Sequence, residues 1–241
     1  MNVSSTPSNK LLATLSATDL AALQPHLKFV ELLQGTVLFE IGETVNRVYF
    51  PHGGVVSLVI ELASGETIET AMVGRESVVG GSSAVDGRFS LCKAIVQIAG
   101  AASVLDADRL RNLADANADL RSSLIHHEQL ILVQALQSAA CNATHTVEAR
   151  LARWLLRCRD LTGGDDLQLT QEFVAQMLGV RRTSVSVVAH TLQQAGFIRY
   201  HRGNIRILNL DGLRETACEC YETVKAHSDR LLGPTLTSDI A

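Results

Sequence analysis

The chain reads as an α+β protein in three successive parts: a small all-β unit, a long helix, and a compact helix-turn-helix followed by a hairpin. Three observations predict this. Glycines at 35, 42, 53, 54, 65, 74, 80 and 81 bound short runs rich in Val, Ile, Thr and Phe, the pattern of a small sandwich or barrel. From Asp106 the glycines stop until Gly163, and apolar residues spaced by three or four take over. The charge is also uneven. Residues 147–214 hold ten Arg and six acids, a local +4 in a chain of net −4, so the remainder carries −8. A basic segment in an acidic protein is the footprint of a discrete polyanion-binding module.

The same composition excludes several classes. A net charge of −4 is not that of a uniformly basic nucleic-acid coat. The longest apolar runs, such as Gly54–Ile60 and Leu130–Val133, fall far short of the roughly 20 residues a membrane span needs. Met1–Lys10 is rich in Ser and Asn, without the apolar core of a signal peptide, and a cytoplasmic location is expected. The cysteines (Cys92, Cys141, Cys158, Cys218 and Cys220) are odd in number and scattered, which fits reduced thiols. Cys218 and Cys220 are separated by one residue, which is not a zinc-knuckle spacing, and these cysteines read as bystanders. No nucleophile–base pair, metal box or phosphate loop stands out, so no catalytic residue, metal ligand or cofactor is expected and the chain is not read as an enzyme.

In order, Met1–Lys10 reads as a loose arm and Leu11–Leu27 as helical, with Ser16 and Thr18 as caps before a second turn. Strands are expected at Thr36–Phe39, Arg47–Phe50, Val55–Leu62, Glu66–Val73, Leu91–Ile98 and Ala102–Asp106, with Ala63-Ser64-Gly65-Glu66 as a hairpin turn. Asp106–Ala114 is a short helix. Asn117 or Asp119 caps a long one reaching about Cys141 or beyond. Ile125, Gln129, Leu132, Leu136, Ala139 and Ala143 form one stripe on it; Leu120, Leu124, Leu130 and Ile131 form a neighbouring one. Two stripes suggest a helix held between its own β unit and a second copy of the chain, the alternative being an ordinary core helix of a monomer. Val147–Arg159 is amphipathic, with Val147, Leu151, Trp154, Leu155 and Cys158 inward and Arg150, Arg153 and Arg157 outward. Residues 215–241 read as a further helix, with Leu213, Ala217, Cys220 and Val224 at helical spacing, and a loose tail.

The segment with the most specific chemistry starts at Thr170, a natural N-cap for a helix ending at Gly179. A second helix, Arg181–Ala195, buries Val185, Val188, Ala189 and Leu192 and leaves Arg181, Arg182, Thr183, Ser184, Ser186, His190 and Gln193 outside. That is a helix-turn-helix arrangement. A helix fits the major groove, Arg grips a guanine edge with two hydrogen bonds, and small hydroxyls reach bases or phosphates. Phe197–Arg202, a Gly203-Asn204 turn and Ile205–Leu208 form an alternating hairpin. It reads as a wing with Arg199, His201 and Arg206 along one side and Arg202 at the tip, where phosphates pass.

This order of β-roll, long helix and winged helix-turn-helix resembles the Crp/Fnr family of bacterial transcription regulators over about Lys28 to Asn209. The most specific stretches are Thr170–Gly196 with its wing, and Thr36-Val37-Leu38-Phe39-Glu40-Ile41-Gly42-Glu43. The resemblance implies a sensor roll at 28–116, a dimerisation helix at 117–145 and a DNA-binding domain at 146–214. It further implies a homodimer on a two-fold symmetric double-stranded operator and RNA polymerase as a partner. Arg182 matches the family's base-reading Arg. Thr183 stands where many members carry Glu, and Val187 where cyclic-AMP-responsive members carry a second Arg; Val187 suits a thymine methyl. The expected DNA-binding set is Thr170, Arg181, Arg182, Thr183, Ser184, Ser186, Val187, His190 and Arg202.

Against the family's cyclic-AMP cassette, Gly81 falls at the ribose-binding Glu, Ser90 and Leu91 at the phosphate-binding Arg-Ser pair with Arg88 two positions early, and Ala135 and Leu136 at the adenine-contacting pair. Tight cyclic-AMP binding is not expected, because a lost Arg opposite phosphate removes a charge-assisted pair. Gly80-Gly81-Ser82-Ser83 is either a backbone anion cradle for an effector or a tight turn of the roll. No Cys precedes Cys92, which disfavours an iron–sulfur switch, and the adjacent His126 and His127 point to different sides and read as solvated or interface residues. The sequence identifies no small-molecule effector. The competing reading is a nucleotide- or metabolite-responsive regulatory subunit acting on a protein partner, which would place apolar or aromatic residues at the Arg181-Arg182-Thr183 turn.

Overall fold

The computed structural model describes residues 9–232; the loose arm before Asn9 and the loose tail after Leu232 lie outside the described residues. The arm expected to reach Lys10 is anchored from Asn9 onward. The Asn9 side chain is fully buried, accepts from Leu12 N at 3.1 Å and donates to Pro51 O and Ser77 O at 2.9 and 2.8 Å. The helical stretch Leu11–Leu27 divides at the Ser16 cap into α1 (Lys10–Thr14) and α2 (Ala17–Leu23), followed by a 3-10 turn at Gln24–His26. The break has a local cause: the Ser16 hydroxyl accepts from Asp19 N and starts α2 afresh.

The β-roll is an antiparallel sheet of β1 (Lys28–Leu32), β2 (Val37–Phe39), β3 (Arg47–Glu61), β4 (Thr67–Val73) and β5 (Lys93–Asp106), ordered β1-β5-β3-β4, with β2 also paired to β5. Four of the short strands read from the sequence fuse into two long ones. Arg47–Phe50 and Val55–Leu62 belong to β3, and Leu91–Ile98 and Ala102–Asp106 to β5. The glycines between them mark irregular register rather than ends. A Cβ on Gly54 would meet Ile98 O at 2.5 Å, and one on Gly100 would collide with the Gly53 carbonyl, so the two strands cross where only glycine permits.

Capping residues then punctuate the helices. Asp106 caps α3 (Ala107–Ala116), Asn117 caps α4 (Ala118–Thr144) and Thr146 caps α5 (Val147–Thr162). β6 (Asp166–Gln168) is an unexpected short strand that joins the wing in a three-stranded sheet ordered β6-β8-β7. α6 (Gln171–Leu178) and α7 (Arg182–Gln194) make the helix-turn-helix, and β7 (Ile198–His201) and β8 (Asn204–Ile207) the wing. The one helix expected over residues 215–241 is α9 (Cys220–Leu232), and a separate α8 (Leu210–Thr216) precedes it.

α5 lies at the centre and shares one apolar core with the roll and the helix-turn-helix: Val55, Val59, Met72 and Ile98 of the roll pack with Leu151, Trp154, Leu155, Leu161, Val174 and Val185. Packed against β3, α6, α7, α8 and α9, it keeps no broad solvent face. The expectation that Arg150, Arg153 and Arg157 point outward is therefore corrected. Arg150 is buried, its guanidinium donating to Leu178 O; Arg153 is half-buried; Arg157 pairs with Glu76 at 2.9 Å with both side chains nearly enclosed. Trp154 Nε1 adds a 2.9 Å bond to buried Glu69, so two polar ties join α5 to the roll.

Candidate nucleic-acid interface

The recognition surface is built from caps and short cross-links. Thr170 is exposed, and its hydroxyl accepts from Phe173 N as the N-cap of α6; Gly179 closes that helix with φ +61°. Arg181 holds the N-cap position of α7 in extended backbone, leaving the first amides of α7 without a side-chain acceptor. Arg181, Arg182 and Thr183 are exposed there, and along the same helix so are Val187 and His190. Arg182 Nε lies 3.9 Å from Glu172 Oε2, an exposed and therefore weak ion pair. Ser184 and Ser186 are only partly exposed, and Ser186 Oγ sits 2.6 Å from Gln171 Oε1. Ser186 thus ties α7 to α6. Val187 is 67% exposed on the same face of α7.

The wing tip has φ +46° at Arg202 and +78° at Gly203, the pair of positive angles a two-residue hairpin demands. Arg199 and Arg206 face each other across β7 and β8, and both are exposed with His201 and Arg202. Leu169 N donates to Gly203 O at 2.8 Å, and a Cβ on Gly203 would touch the Thr170 methyl at 3.5 Å. Gly203, Thr170, Gln171 and Ser186 thus form a continuous chain of contacts, placing the wing tip and the outer face of α7 on one surface. Two anchors escaped sequence reasoning. Tyr200 OH accepts from Gln171 N at 3.2 Å, and Gln193 Oε1 accepts from Tyr200 N at 2.8 Å. Alternation along β7 marks Tyr200 as inward, but nothing in the sequence names its partner.

The roll segment Gly80–Ser83 is folded inward. Gly80 is left-handed at φ +81°, Gly81–Val85 forms a 3-10 turn, and Gly81 and Ser83 are buried. The Glu128 carboxylate of α4 lies close beneath Gly81, and Ser83 O accepts from Arg111 at 3.0 and 2.8 Å. Burial pushes Glu128 upward while the Ser82 amide pulls it back.

α4 presents the two stripes to opposite environments. Ile125, Gln129, Leu132, Leu136, Ala139 and Ala143 are all exposed, whereas Leu120, Leu124 and Leu130 are buried and Ile131 is partly so. The expectation for His127 is corrected: it is 3% exposed, Nδ1 lies 2.8 Å from Ser77 Oγ, and burial first, then the neighbouring His126, lowers its pKa to about 4. Three cysteines are not scattered either. Cys141, Cys218 and Cys220 converge with His145 at the end of α4, and the signal that could have found them is Cys141-x-x-x-His145, one helical turn, with a Cys-x-Cys downstream.

A family model of the cyclic nucleotide-binding domain matches residues 29–117, and one of the Crp-like helix-turn-helix domain matches residues 149–216, more than half of the chain between them. The chain belongs to the Crp/Fnr family of transcription regulators. Solved Crp/Fnr-type structures share its fold. FixK2 from Bradyrhizobium japonicum is 18% identical with a TM-score of 0.69, covering 80% of this chain and 98% of its own. The CRP/FNR regulator TTHA1359 from Thermus thermophilus is 24% identical at 0.62, covering 79% and 98%. The c-di-GMP-responsive global regulator CLP from Xanthomonas campestris is 17% identical at 0.63, covering 80% and 99%. A sequence search of curated proteins returned no match. Among the described residues no helix is long and apolar enough to cross a membrane.

Proposed function

We propose that this Crp/Fnr member is a homodimeric, sequence-specific transcription regulator acting in the cytoplasm on a two-fold symmetric DNA site, without tight affinity for cyclic AMP. The observation that carries DNA binding is the surface joining the uncapped, Arg-bearing start of α7 to the Arg202 wing tip. Arg182 and Thr183 read base edges, Val187 meets a thymine methyl, and Arg181, Thr170 and Arg202 lie along the phosphates. Val187 is the one apolar residue among the exposed positions of the expected set, which favours a polyanion over a protein partner. The exposed stripe of α4 is the surface for the second copy, setting two recognition helices in successive grooves about 34 Å apart.

Gly81, Ser90, Leu91 and the Ala135-Leu136 pair stand where cyclic-AMP binders carry the ribose, phosphate and adenine contacts. Ser90 Oγ is engaged by Cys92 O at 2.5 Å, and Leu91 is 86% exposed, so neither supplies charge to a buried phosphate. Calorimetry giving a micromolar or tighter cyclic-AMP complex would overturn this part. For the DNA part, sites selected from random duplexes define the operator. Arg182→Ala is then expected to cost about 1–3 kcal/mol at one base pair and relax specificity there, while Arg202→Ala weakens all sequences alike and lowers the salt slope by about one. Equal, sequence-blind losses from both variants would refute the groove assignment.

A further inference from the structure

The most concentrated unassigned chemistry in the molecule lies where α4 hands over to α5. We propose that Cys141, His145, Cys218 and Cys220 form a closed tetrahedral site for one zinc-class divalent ion, clamping the C-terminal helix to the hinge between the long helix and the DNA-binding domain. The four donor atoms lie within 4.8 Å of one another. Cys141 Sγ is 3.5 Å from Cys218 Sγ, and Cys220 Sγ is 3.6 Å from His145 Nδ1. A zinc–sulfur bond of about 2.3 Å gives a tetrahedral edge of about 3.8 Å, so these separations already approximate the edges of a coordination sphere. They are too short to enclose a multi-iron cluster.

The surroundings orient the donors as ligands. His145 Nε2 meets Glu219 Oε1 at 3.2 Å, which fixes the proton on Nε2 and leaves the Nδ1 lone pair facing Cys220; a carboxylate behind a ligating imidazole is the usual supporting contact of a zinc site. Gln137 Nε2 donates to Cys220 Sγ at 3.0 Å, a bond that favours a thiolate. The three cysteines are buried, at 0%, 7% and 1% exposed for Cys141, Cys218 and Cys220. Three thiolates and one divalent ion leave a single negative charge, and Arg150 and Arg153 bring positive charge to this end of α5. A Cys141–Cys218 disulfide would account for two sulfurs and leave Cys220, His145 and their hydrogen bonds without purpose; a soft, tetrahedral ion uses all four.

The test uses the full chain purified without chelator. Elemental analysis is expected to give one zinc per chain. After removal of metal under reducing conditions, cobalt(II) is expected to give the visible bands of a tetrahedral ion and thiolate charge-transfer absorption, both displaced by zinc. Cys218→Ser with Cys220→Ser should abolish the spectrum, Cys92→Ser should leave it unchanged, and His145→Cys should raise the charge-transfer intensity by about a third as three thiolates become four. Zinc should also raise the thermal midpoint of the metal-free chain. The proposal fails if the wild-type chain holds no zinc and its reduced form gives no tetrahedral cobalt spectrum, if the protein isolates with a Cys141–Cys218 disulfide, or if the double variant keeps the spectrum.

Discussion

The two faces of α4 invert the usual rule for a surface helix. The face turned into the chain carries His127, Gln134 and Ser138 among its leucines, while the face turned outward carries Ile125, Leu132 and Leu136, which are 41%, 58% and 63% exposed. Inside, the polar groups find specific partners. His127 meets Ser77, and the Gln134 amide accepts from Met72 N at 3.1 Å and donates to Met72 O at 3.2 Å. Met72 lies on β4, the last strand in the sheet order, so Gln134 supplies both bonds that an additional strand would have made. The outer face has no such partners and no charge. In the proposed dimer this outer stripe is the surface that a two-fold copy of the chain would cover.

The largest effect should come from breaking the outer face. Leu132→Asp with Leu136→Asp removes four apolar side chains from a symmetric dimer, at about 1.5–3 kcal/mol each. The expected outcome is a well-folded monomer by sedimentation, with unchanged far-ultraviolet dichroism and operator affinity lost by several orders of magnitude. A double variant that still sediments as a dimer would move the interface elsewhere.

On the inner side the sharper probe is pH, because two buried groups there act in opposite directions. Gln134 and Ser138 line a cavity of about 20 Å³ together with Glu69, Arg153 and Arg157. Burial raises Glu69 from 4.5 to about 7, against the pull of Ser57, Trp154 and the two arginines. The folded chain therefore keeps a proton that the unfolded chain has lost. Stability is complete below pH 4.5 and declines by about 3 kcal/mol as pH rises to about 7. His127 works the other way: lowered from 6.5 to about 4, it gives stability that is complete above pH 6.5 and lost as pH falls to about 4. The wild-type urea midpoint should be nearly flat between these limits. Glu69→Gln should leave a profile that rises with pH, and His127→Gln one that falls. Parallel profiles for the two variants would show that the groups do not titrate as their burial implies.

Much of this architecture is legible from residues whose effect is local. Asn117, Thr170 and Gly179 mark helix ends because a cap needs only its own neighbours. The outer stripe of α4 is equally readable, since periodicity alone sorts one face from another. What sequence misses depends on what the chain meets after folding. Gly54 and Gly100 look like turn residues and are crossing points of two long strands. Arg150 and Arg157 fall on the polar side of a helical wheel, yet α5 is enclosed on every side, and Leu178 O and Glu76 receive them. Cys141 and Cys218 are 77 residues apart, and their proximity follows from α9 packing along α4. In the recognition surface the exposed Arg positions were readable, whereas the Tyr200 and Gln193 bonds that hold the wing required the fold.

The smallest expected effect gives the cleanest separation of the two faces. Gln134→Leu keeps nearly the same volume but leaves Met72 N–H and C=O without partners in a site where Gln134 is 6% exposed. An unpaired buried amide or carbonyl costs about 1–3 kcal/mol, so the urea midpoint should fall while the dimer dissociation constant stays unchanged. Leu132→Gln is the mirror experiment, with the same two residue types exchanged one face over. It should weaken association and leave the stability of the monomer nearly as it was, because that side chain is exposed in the single chain. If Gln134→Leu instead strengthened dimerisation, or Leu132→Gln lowered the monomer's own stability by a comparable amount, the two faces would not be energetically separate. The inversion would then reflect one continuous core and not a division between fold and assembly.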